Sequence, residues 1–338
     1  MRQTRTTPPL RAVTALVCCT LLAGLVACDR GVTVPDDTRS ITLGVSGEAL
    51  DSLAYIARDE GLFEQEGLEV GFVEFDSAQA ALEAMLAGEV DAALCADTPI
   101  VTAAIEGKPF RVITTIGTHA NDIKIVARAS EGITEPSDLR GKRVGTRRGT
   151  AAHFFLHVFL VKYALADTDV QLSYDTFENV TAALISGQLD AVAVRQPFLS
   201  QLKQALGDDF VLFEEEGLYE KTMNLCVPDG EGEPDTETKE RLVRAFIAAE
   251  EVGLDDSTGQ IHSDVAEAMG VPEEDLCDCI IVPGSVGLRQ SLVLGFEDQA
   301  RWAIGSGFVS APAVLDMLSV IDTTVLDTLA PERVTVIR

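Results

Sequence analysis

The 338-residue chain carries 26 Lys and Arg against 54 Asp and Glu, which gives a net charge of −28 at pH 7. This excess of negative charge excludes nucleic acid as a partner, because its phosphates would be repelled. The acidic residues are expected on solvated helix faces. The length suits two domains of ordinary size, and seven cysteines in so long a chain do not indicate a disulfide scaffold.

The first residues are typical of a secretory leader. Three arginines, at positions 2, 5 and 11, precede an apolar run over residues 12–26, too short for a membrane span of ~20 residues. The run ends in Leu25-Val26-Ala27-Cys28, which resembles the bacterial lipobox. The resemblance implies removal of a signal peptide, residues 1–27, and acylation of Cys28 with chains such as palmitate. Two such chains suffice for stable anchoring. A plain signal peptide with a chance cysteine is the alternative.

These features predict a lipid-anchored protein at the periplasmic side of the bacterial inner membrane. Asp29 directly after Cys28 resembles the inner-membrane retention signal, with retention at the outer membrane left open. Residues 28–40 have no periodicity and are predicted to form a tether. Loss of the leader would remove three arginines and no acidic residue, so the net charge of −28 would become −31.

Strands and helices alternate along the chain after residue 40. The apolar spacing predicts strands over 41–45, 68–75, 91–95, near Val144, 170–174, 190–194 and 223–228. It predicts helices over 50–59, 78–86, 151–163, 180–185, 237–252, 262–269 and 296–304. This alternation favours an α/β protein with parallel sheets and right-handed crossovers.

The order of elements repeats. The segment Ala87-Gly88-Glu89-Val90-Asp91-Ala92 matches Ser186-Gly187-Gln188-Leu189-Asp190-Ala191, and in each a helix ends at a glycine suited to a left-handed cap. We therefore predict two similar lobes. Lobe one takes residues 41–123 plus 223–338, and lobe two takes residues 124–222. Crossings near 121–125 and 219–225 would hinge the lobes and place a cleft between them.

Five motifs occur in order between residues 41 and 213. They are Gly61-Leu62-Phe63 with Gly67-Leu68, the first repeat segment, Ser137-Asp138-Leu139-Arg140-Gly141-Lys142, Gly149-Thr150-Ala151-Ala152-His153, and Gln196-Pro197-Phe198. Together they resemble the NMT1/THI5-like solute-binding proteins of ABC importers, which take nitrate, taurine, alkanesulfonates and thiamine-precursor pyrimidines. The resemblance implies the type II periplasmic binding protein fold, a monomer, no cofactor, and an ABC permease with its ATPase subunits as partners.

In the fold that the resemblance implies, four strand-to-helix loops face the cleft. Helix N-termini there would offer free N–H groups and a positive dipole end to an anion. The candidate ligand-binding residues on these loops are Ser46, Gly47, Asp97, Thr98, Thr150, Ala151, His153 and Arg195.

Several candidates have a purely structural alternative. Ser46 and Thr98 are equally suited to helix capping. Asp97 either caps a helix or receives a ligand ammonium group. His153 either reaches the ligand or packs inside lobe two. Of Arg147 and Arg148, at least one is expected to face solvent.

Arg195 stands where many members of the group carry a tryptophan. A planar guanidinium suits carboxylate, sulfonate or phosphate, and a salt bridge to an acidic residue is the alternative. The chain's one tryptophan, Trp302, is far from these loops, which disfavours an aromatic sandwich for a pyrimidine. We therefore expect an anionic head held by Arg195 and the helix N-terminus at Thr150.

The motifs of other function classes are missing from the sequence. It has neither a Gly-x-Ser-x-Gly nucleophile motif nor a Walker loop, and its four histidines are not spaced as metal ligands. We therefore expect no enzyme and no metal site. Cysteines that would remain besides the anchor are predicted to be free or structural thiols, namely Cys95, Cys226, Cys277 and Cys279. A ligand-sensing partner of a membrane kinase is the remaining alternative.

Overall fold

The computed structural model describes residues 37–256, 258–269, 272–275, 285–311 and 316–338. The predicted signal peptide, the lipidation site at Cys28, and the pair Cys277 and Cys279 lie outside the described residues. Within them, no helix is long and apolar enough to cross a membrane.

In the described part of the chain, ten strands form two sheets of five strands each. The first sheet has the order β2-β1-β3-β10-β4, with strands β1 Arg39–Val45, β2 Leu68–Glu74, β3 Ala92–Ala96, β4 Phe110–His119 and β10 Lys221–Pro228. Strands β1, β2 and β3 run parallel, and β10 is antiparallel to both β3 and β4.

The second sheet repeats this arrangement in the order β7-β6-β8-β5-β9. Its strands are β5 Lys124–Arg128, β6 Arg143–Thr146, β7 Gln171–Tyr174, β8 Ala191–Val194 and β9 Phe210–Phe213. Strand β6 is parallel to β7 and β8, whereas β5 is antiparallel to β8 and β9. The chain passes between the sheets twice, from β4 to β5 and from β9 to β10.

Helices flank both sheets. They are α1 Ser52–Asp59, α2 Leu62–Gln65, α3 Ala78–Leu86, α4 Asp97–Ile105, α5 Ala151–Lys162, α6 Phe177–Ile185, α7 Phe198–Leu206, α8 Thr236–Leu254, α9 Gln260–Met269, α10 Gln290–Gly305 and α11 Thr324–Leu329. Strands β3 and β8 are apolar and buried along their whole length, as expected of parallel strands covered on both faces. Each sheet has its own core, and the C-terminal helices α8, α10 and α11 pack with the first sheet's elements.

The predicted α/β class with two lobes is confirmed, and so are the left-handed caps at Gly88 and Gly187, with φ of +77° and +76°. The apolar pattern did not predict strands β4, β5 and β9 or helices α7 and α11. Helix α10 begins six residues before its predicted start, because Leu292 and Val293 are buried as part of its inner face. Strand β1 begins at Arg39, inside the predicted tether, because the Arg39 amide donates to the Gly67 carbonyl beside β2.

Candidate functional site

A small cavity lies between the two lobes, where loops from both sheets meet. It measures about 20 Å³, room for about one water molecule. Its lining residues are Glu48, Ser77, Ala78, Gln79, Ala96 and Pro99 from the strand-to-helix junctions of the first sheet, Ile123 from the connection between β4 and β5, Lys221 from the start of β10, and Thr150, Ala151, Ala152, Phe177 and Arg195 from the strand-to-helix junctions of the second sheet.

Arg195 follows β8 and is 7% exposed. Its Nη2 lies 3.1 Å from Oε1 of Glu48, which belongs to the loop after β1, so this ion pair joins the two lobes. Nη1 donates to the Gln196 carbonyl at 2.7 Å, and Cζ lies 5.4 Å from the ring centroid of Phe177. The guanidinium is therefore held at the cavity wall by contacts on several sides.

Lys221, the first residue of β10, forms a second cation beside the cavity. Its ammonium donates to the other oxygen of Glu48 and, at 2.7 Å, to Oδ2 of Asp122. Burial by itself would raise the pKa of the Asp122 carboxyl, but Lys221, His119 and Arg195 together outweigh burial and lower that pKa to about 2. Burial would likewise lower the pKa of Lys221, and the two carboxylates raise it to about 12. Burial would also raise the pKa of Glu48, but Arg195 and Lys221 together lower it, so Lys221, Asp122 and Glu48 are all charged at neutral pH.

The N-terminus of α5 contributes positive potential without a charged side chain. Thr150 is the N-cap, yet its hydroxyl donates to the Arg147 carbonyl at 2.8 Å and caps no helix amide. The Thr150 side chain therefore accepts no hydrogen bond from the amides of the first turn. The helix dipole adds positive potential at this wall of the cavity. Across the cavity, Ser77 caps α3 by accepting from the Ala80 amide at 3.2 Å.

Asp97 and Thr98 are the first two residues of α4, directly after β3, and their side chains do not line the cavity. The Asp97 carboxylate accepts from the Tyr219 hydroxyl at 2.5 and 2.6 Å, from Gln299 Nε2 at 2.9 Å and from the Thr98 amide at 2.9 Å. The Thr98 hydroxyl donates to Gln299 Oε1 at 2.6 Å. Burial raises the pKa of Asp97 to about 6. Both side chains bind α10 and not the central cavity, which their neighbours Ala96 and Pro99 line.

His153 lies within an aromatic cluster that joins the lobes. Its ring centroid is 4.9 Å from that of Tyr174, 4.8 Å from that of Trp302 and 5.6 Å from that of Phe308. Burial lowers the pKa of His153 to about 4. The sequence-based statement that Trp302 is far from the candidate loops is therefore wrong. Helix α10 folds back over the start of α5, so sequence separation misleads here.

Ser46 and Gly47 belong to the loop after β1 and do not line the cavity. The amide and the hydroxyl of Ser46 donate to Asp51 Oδ2 at 2.8 and 3.0 Å. Gly47 is exposed with a φ of +64°, a left-handed conformation that favours glycine. The same loop then turns the carboxylate of Glu48 inward.

The structure thus brings three predicted candidates, Thr150, Ala151 and Arg195, to the cavity. Sequence reasoning missed the charged partners Glu48, Lys221 and Asp122. One signal was available for Lys221, because it is the one charged residue of strand β10 and stands at its start. Glu48 lies beside Ser46 and Gly47 on a loop predicted to face the cleft, but it was not among the candidates. Asp122 carried no comparable signal among so many acidic residues. Of the four cysteines predicted to be free or structural, Cys95 and Cys226 are free and buried.

Residues 51–260 match the family model described as NMT1/THI5 like. A Bacillus subtilis protein named as an aliphatic sulfonates binder is 27% identical over 168 residues, 48% of this chain and 49% of its own length. The taurine-binding periplasmic protein of Escherichia coli is 23% identical over 167 residues, 49% of this chain and 52% of its own. The chain therefore spans about half the length of these curated relatives.

Among solved structures, the alkanesulfonate-binding protein of Xanthomonas axonopodis pv. citri bound to MOPS superposes with a TM-score of 0.71. The match covers 86% of this chain and 100% of that protein at 20% identity. This likeness confirms the predicted periplasmic binding protein fold.

Proposed function

The chain belongs to the NMT1/THI5-like family, and on that premise we propose that it is the solute-binding component of an ABC importer. It captures a small anionic or zwitterionic solute, such as a sulfonate, taurine or nitrate, and delivers it to a permease. Separate ATPase subunits supply the energy. Relatives named for sulfonates and taurine support this ligand class.

One observation carries the proposal, the buried Arg195 guanidinium beside the uncapped N-terminus of α5 at the interlobe cavity. The planar fork of arginine can donate two parallel hydrogen bonds to a sulfonate or carboxylate. The amides and dipole of a helix N-terminus favour the same anionic group. Phe177 and Ile123 offer apolar surface to the rest of a small solute.

Binding is coupled to movement of the lobes. A cavity of about 20 Å³ is too small for a sulfonate, so the lobes must separate before a solute can enter. The predicted bounds place lobe one at 41–123 plus 223–338 and lobe two at 124–222, and the two connections between the sheets, from β4 to β5 and from β9 to β10, serve as hinges. A solute that contacts both lobes only when they close shifts the population toward the closed form, which the permease recognises.

The lipid anchor is part of the proposal. Leu25-Val26-Ala27-Cys28 supports acylation of Cys28 at the periplasmic side of the inner membrane, which keeps the protein near its permease. Mass spectrometry of the protein made in a bacterial host tests it. The expected N-terminal peptide begins at Cys28 with acyl chains, and a Cys28→Ser variant leaves the membrane fraction. An unmodified Cys28 peptide contradicts the anchor.

Thermal shift against a small-ligand panel tests the function. The panel contains sulfonates, taurine, nitrate, small carboxylates and hydroxymethylpyrimidine compounds. A ligand at 100 times its dissociation constant adds about 2.7 kcal/mol to the free energy of unfolding, so a shift is readily visible. We expect it with an anionic or zwitterionic class. A shift with the pyrimidines alone makes the protein a thiamine-precursor binder, and no shift with any of them favours the sensor alternative or a ligand outside the panel.

Arg195→Ala should weaken binding of the responding solute by roughly 10- to 100-fold, because a hydrogen-bonded charge is lost from a buried site. Arg140→Ala is the matched control in the same lobe, since Arg140 pairs with Asp169 at 2.5 Å on the surface. Equal affinity of the Arg195 variant and the wild type would contradict the proposed site.

A further inference from the structure

We infer that Glu48 selects a zwitterionic solute: its carboxylate receives the ammonium group of a ligand whose sulfonate or carboxylate head binds Arg195. This inference rests on the proposed function and narrows its ligand class. It assigns to Glu48 a specificity-determining role within the cavity.

The charged side chains around the cavity already balance. Two cations, Arg195 and Lys221, face two anions, Glu48 and Asp122, and the exposed fractions of these side chains are 8, 3, 7 and 13%. A simple anion would add one unmatched negative charge to this buried group. Unpaired charge is strongly disfavoured away from water, so the balance works against a solute whose only charge is negative.

The same balance shows where a positive charge belongs. When a ligand anion takes over Arg195, Glu48 loses the partner that lies 3.1 Å from its Oε1. Lys221 then stands alone between two carboxylates, with Asp122 at 2.7 Å. One negative charge is left over, and it sits on Glu48 beside the ligand. An ammonium group on the solute cancels it.

Asp97, the other carboxylate on these loops, is not placed for this role. Tyr219, Gln299 and the Thr98 amide already donate to it, and it does not line the cavity. Among the described residues that do line the cavity, Glu48 is the one carboxylate. We therefore assign the ammonium-binding role, which the sequence suggested for Asp97, to Glu48.

Isothermal titration of the purified full-length protein with taurine and propane-1-sulfonate tests the inference. These two solutes share the sulfonate and the chain length and differ in ammonium against methyl. We expect the wild type to bind taurine about tenfold or more tightly, since a charged hydrogen bond is at stake. β-Alanine and butyrate form the matching carboxylate pair. This comparison needs no variant and is independent of any folding defect.

Glu48→Gln should abolish or reverse the preference, with affinity for taurine falling and affinity for propane-1-sulfonate rising. Asp76→Asn is the control, because Asp76 is exposed and its ion pair with Arg147, at 3.4 Å, joins the lobes outside the cavity. It should leave the ratio of the two affinities unchanged.

Equal affinities of the wild type for both members of a pair overturn the inference and leave the proposed function standing. The inference also fails if Glu48→Gln weakens both members equally. If neither pair binds, the proposed sulfonate and carboxylate ligand class fails, and the inference fails with it.

Discussion

The indole ring of Trp302 packs against the imidazole ring of His153, with ring centroids 4.8 Å apart and planes at 79°. Trp302 lies on α10, which packs with the first sheet's helix α4, and His153 lies on α5 beside the second sheet. The pair is therefore a direct contact between the lobes. Edge-to-face aromatic pairs of this kind stabilise beyond the burial of their area.

Trp302→Ala should lower the free energy of unfolding by about 3 kcal/mol, because a buried indole leaves a large void. Trp302→Phe should lose less, since the buried Nε1 has no hydrogen-bond partner and its removal relieves an unsatisfied donor. Urea unfolding of both variants measures this. Leu294→Ala is the control on the same helix, because Leu294 is 54% exposed. A Trp302→Ala loss no larger than that of Leu294→Ala contradicts the prediction.

Asp97 should make stability depend on pH in an unusual direction. Its pKa is raised to about 6 by burial, against roughly 4 in an unfolded chain. Between these values the folded protein binds more protons than the unfolded one. The stabilising contribution of Asp97 is therefore complete below pH ~4 and is lost as the pH rises through about 6.

Asp97→Asn removes this titration. The unfolding free energy of the wild type minus that of the variant should fall by roughly 2 to 3 kcal/mol between pH 4 and pH 7. Urea titrations of both proteins at several pH values give this difference. Other titrating groups, including Asp51 with its raised pKa, cancel because both proteins contain them. A difference that stays constant over the range argues against the raised pKa.

Ser77 and Thr176 cap equivalent helices in the two lobes. Ser77 accepts from the Ala80 amide at 3.2 Å, and Thr176 accepts from the Asn179 amide at 3.3 Å. Each change to alanine should lower the free energy of unfolding by about 1 kcal/mol. Only Ser77 lines the cavity, so only Ser77→Ala should also weaken solute binding. Denaturant unfolding measures the loss of stability, and isothermal titration measures the loss of solute binding. If both variants bind the solute equally well, Ser77 does not contribute to binding.

Lys221→Met should lower the free energy of unfolding by about 3 to 5 kcal/mol at pH 7, because it leaves the Asp122 carboxylate buried without its cation. Without the ammonium group the pKa of Asp122 rises, so the loss should shrink as the pH approaches 4 and the carboxyl takes up a proton. Urea unfolding at both pH values checks this. Lys108→Met serves as the control, since the Lys108 side chain is 50% exposed, and should change stability by less than about 0.5 kcal/mol. A pH-independent loss contradicts the proposed charge pairing.

The local elements of the fold were largely predictable. Helix α3 and strand β1 follow from apolar periodicity, and the glycines that end α3 and α6 have the backbone conformation that their position predicts. Strand β4 escaped prediction because Phe110–His119 is buried along most of its length, so it has no alternation to read. The start of α10 was also missed. Which of its residues are buried depends on the elements that pack against it, and periodicity along the chain does not show this.

The candidate site was predictable only in part. Arg195 and Thr150 could be identified because family motifs lie at or beside them on connections from a strand to the next helix. Their partners Glu48 and Asp122 belong to a chain with 54 acidic residues, and no local pattern distinguishes a buried carboxylate from a solvated one. His153 and Asp97 lie in segments that were predicted to face the cleft. Their side chains contact Trp302 and Gln299 of helix α10 and do not line the cavity.

Sequence by itself determined the α/β class, the internal repeat, the family and the loops that approach the cleft, because these depend on periodicity, glycine positions and motif order along the chain. Only the tertiary structure decided which charges pair across the lobes and which faces of those loops reach the cavity. Strand β10 returns to the first sheet between β3 and β4 and brings Lys221 to Glu48 and Asp122. Charge pairing in a buried site depends on such distances, and they arise only when distant segments pack together.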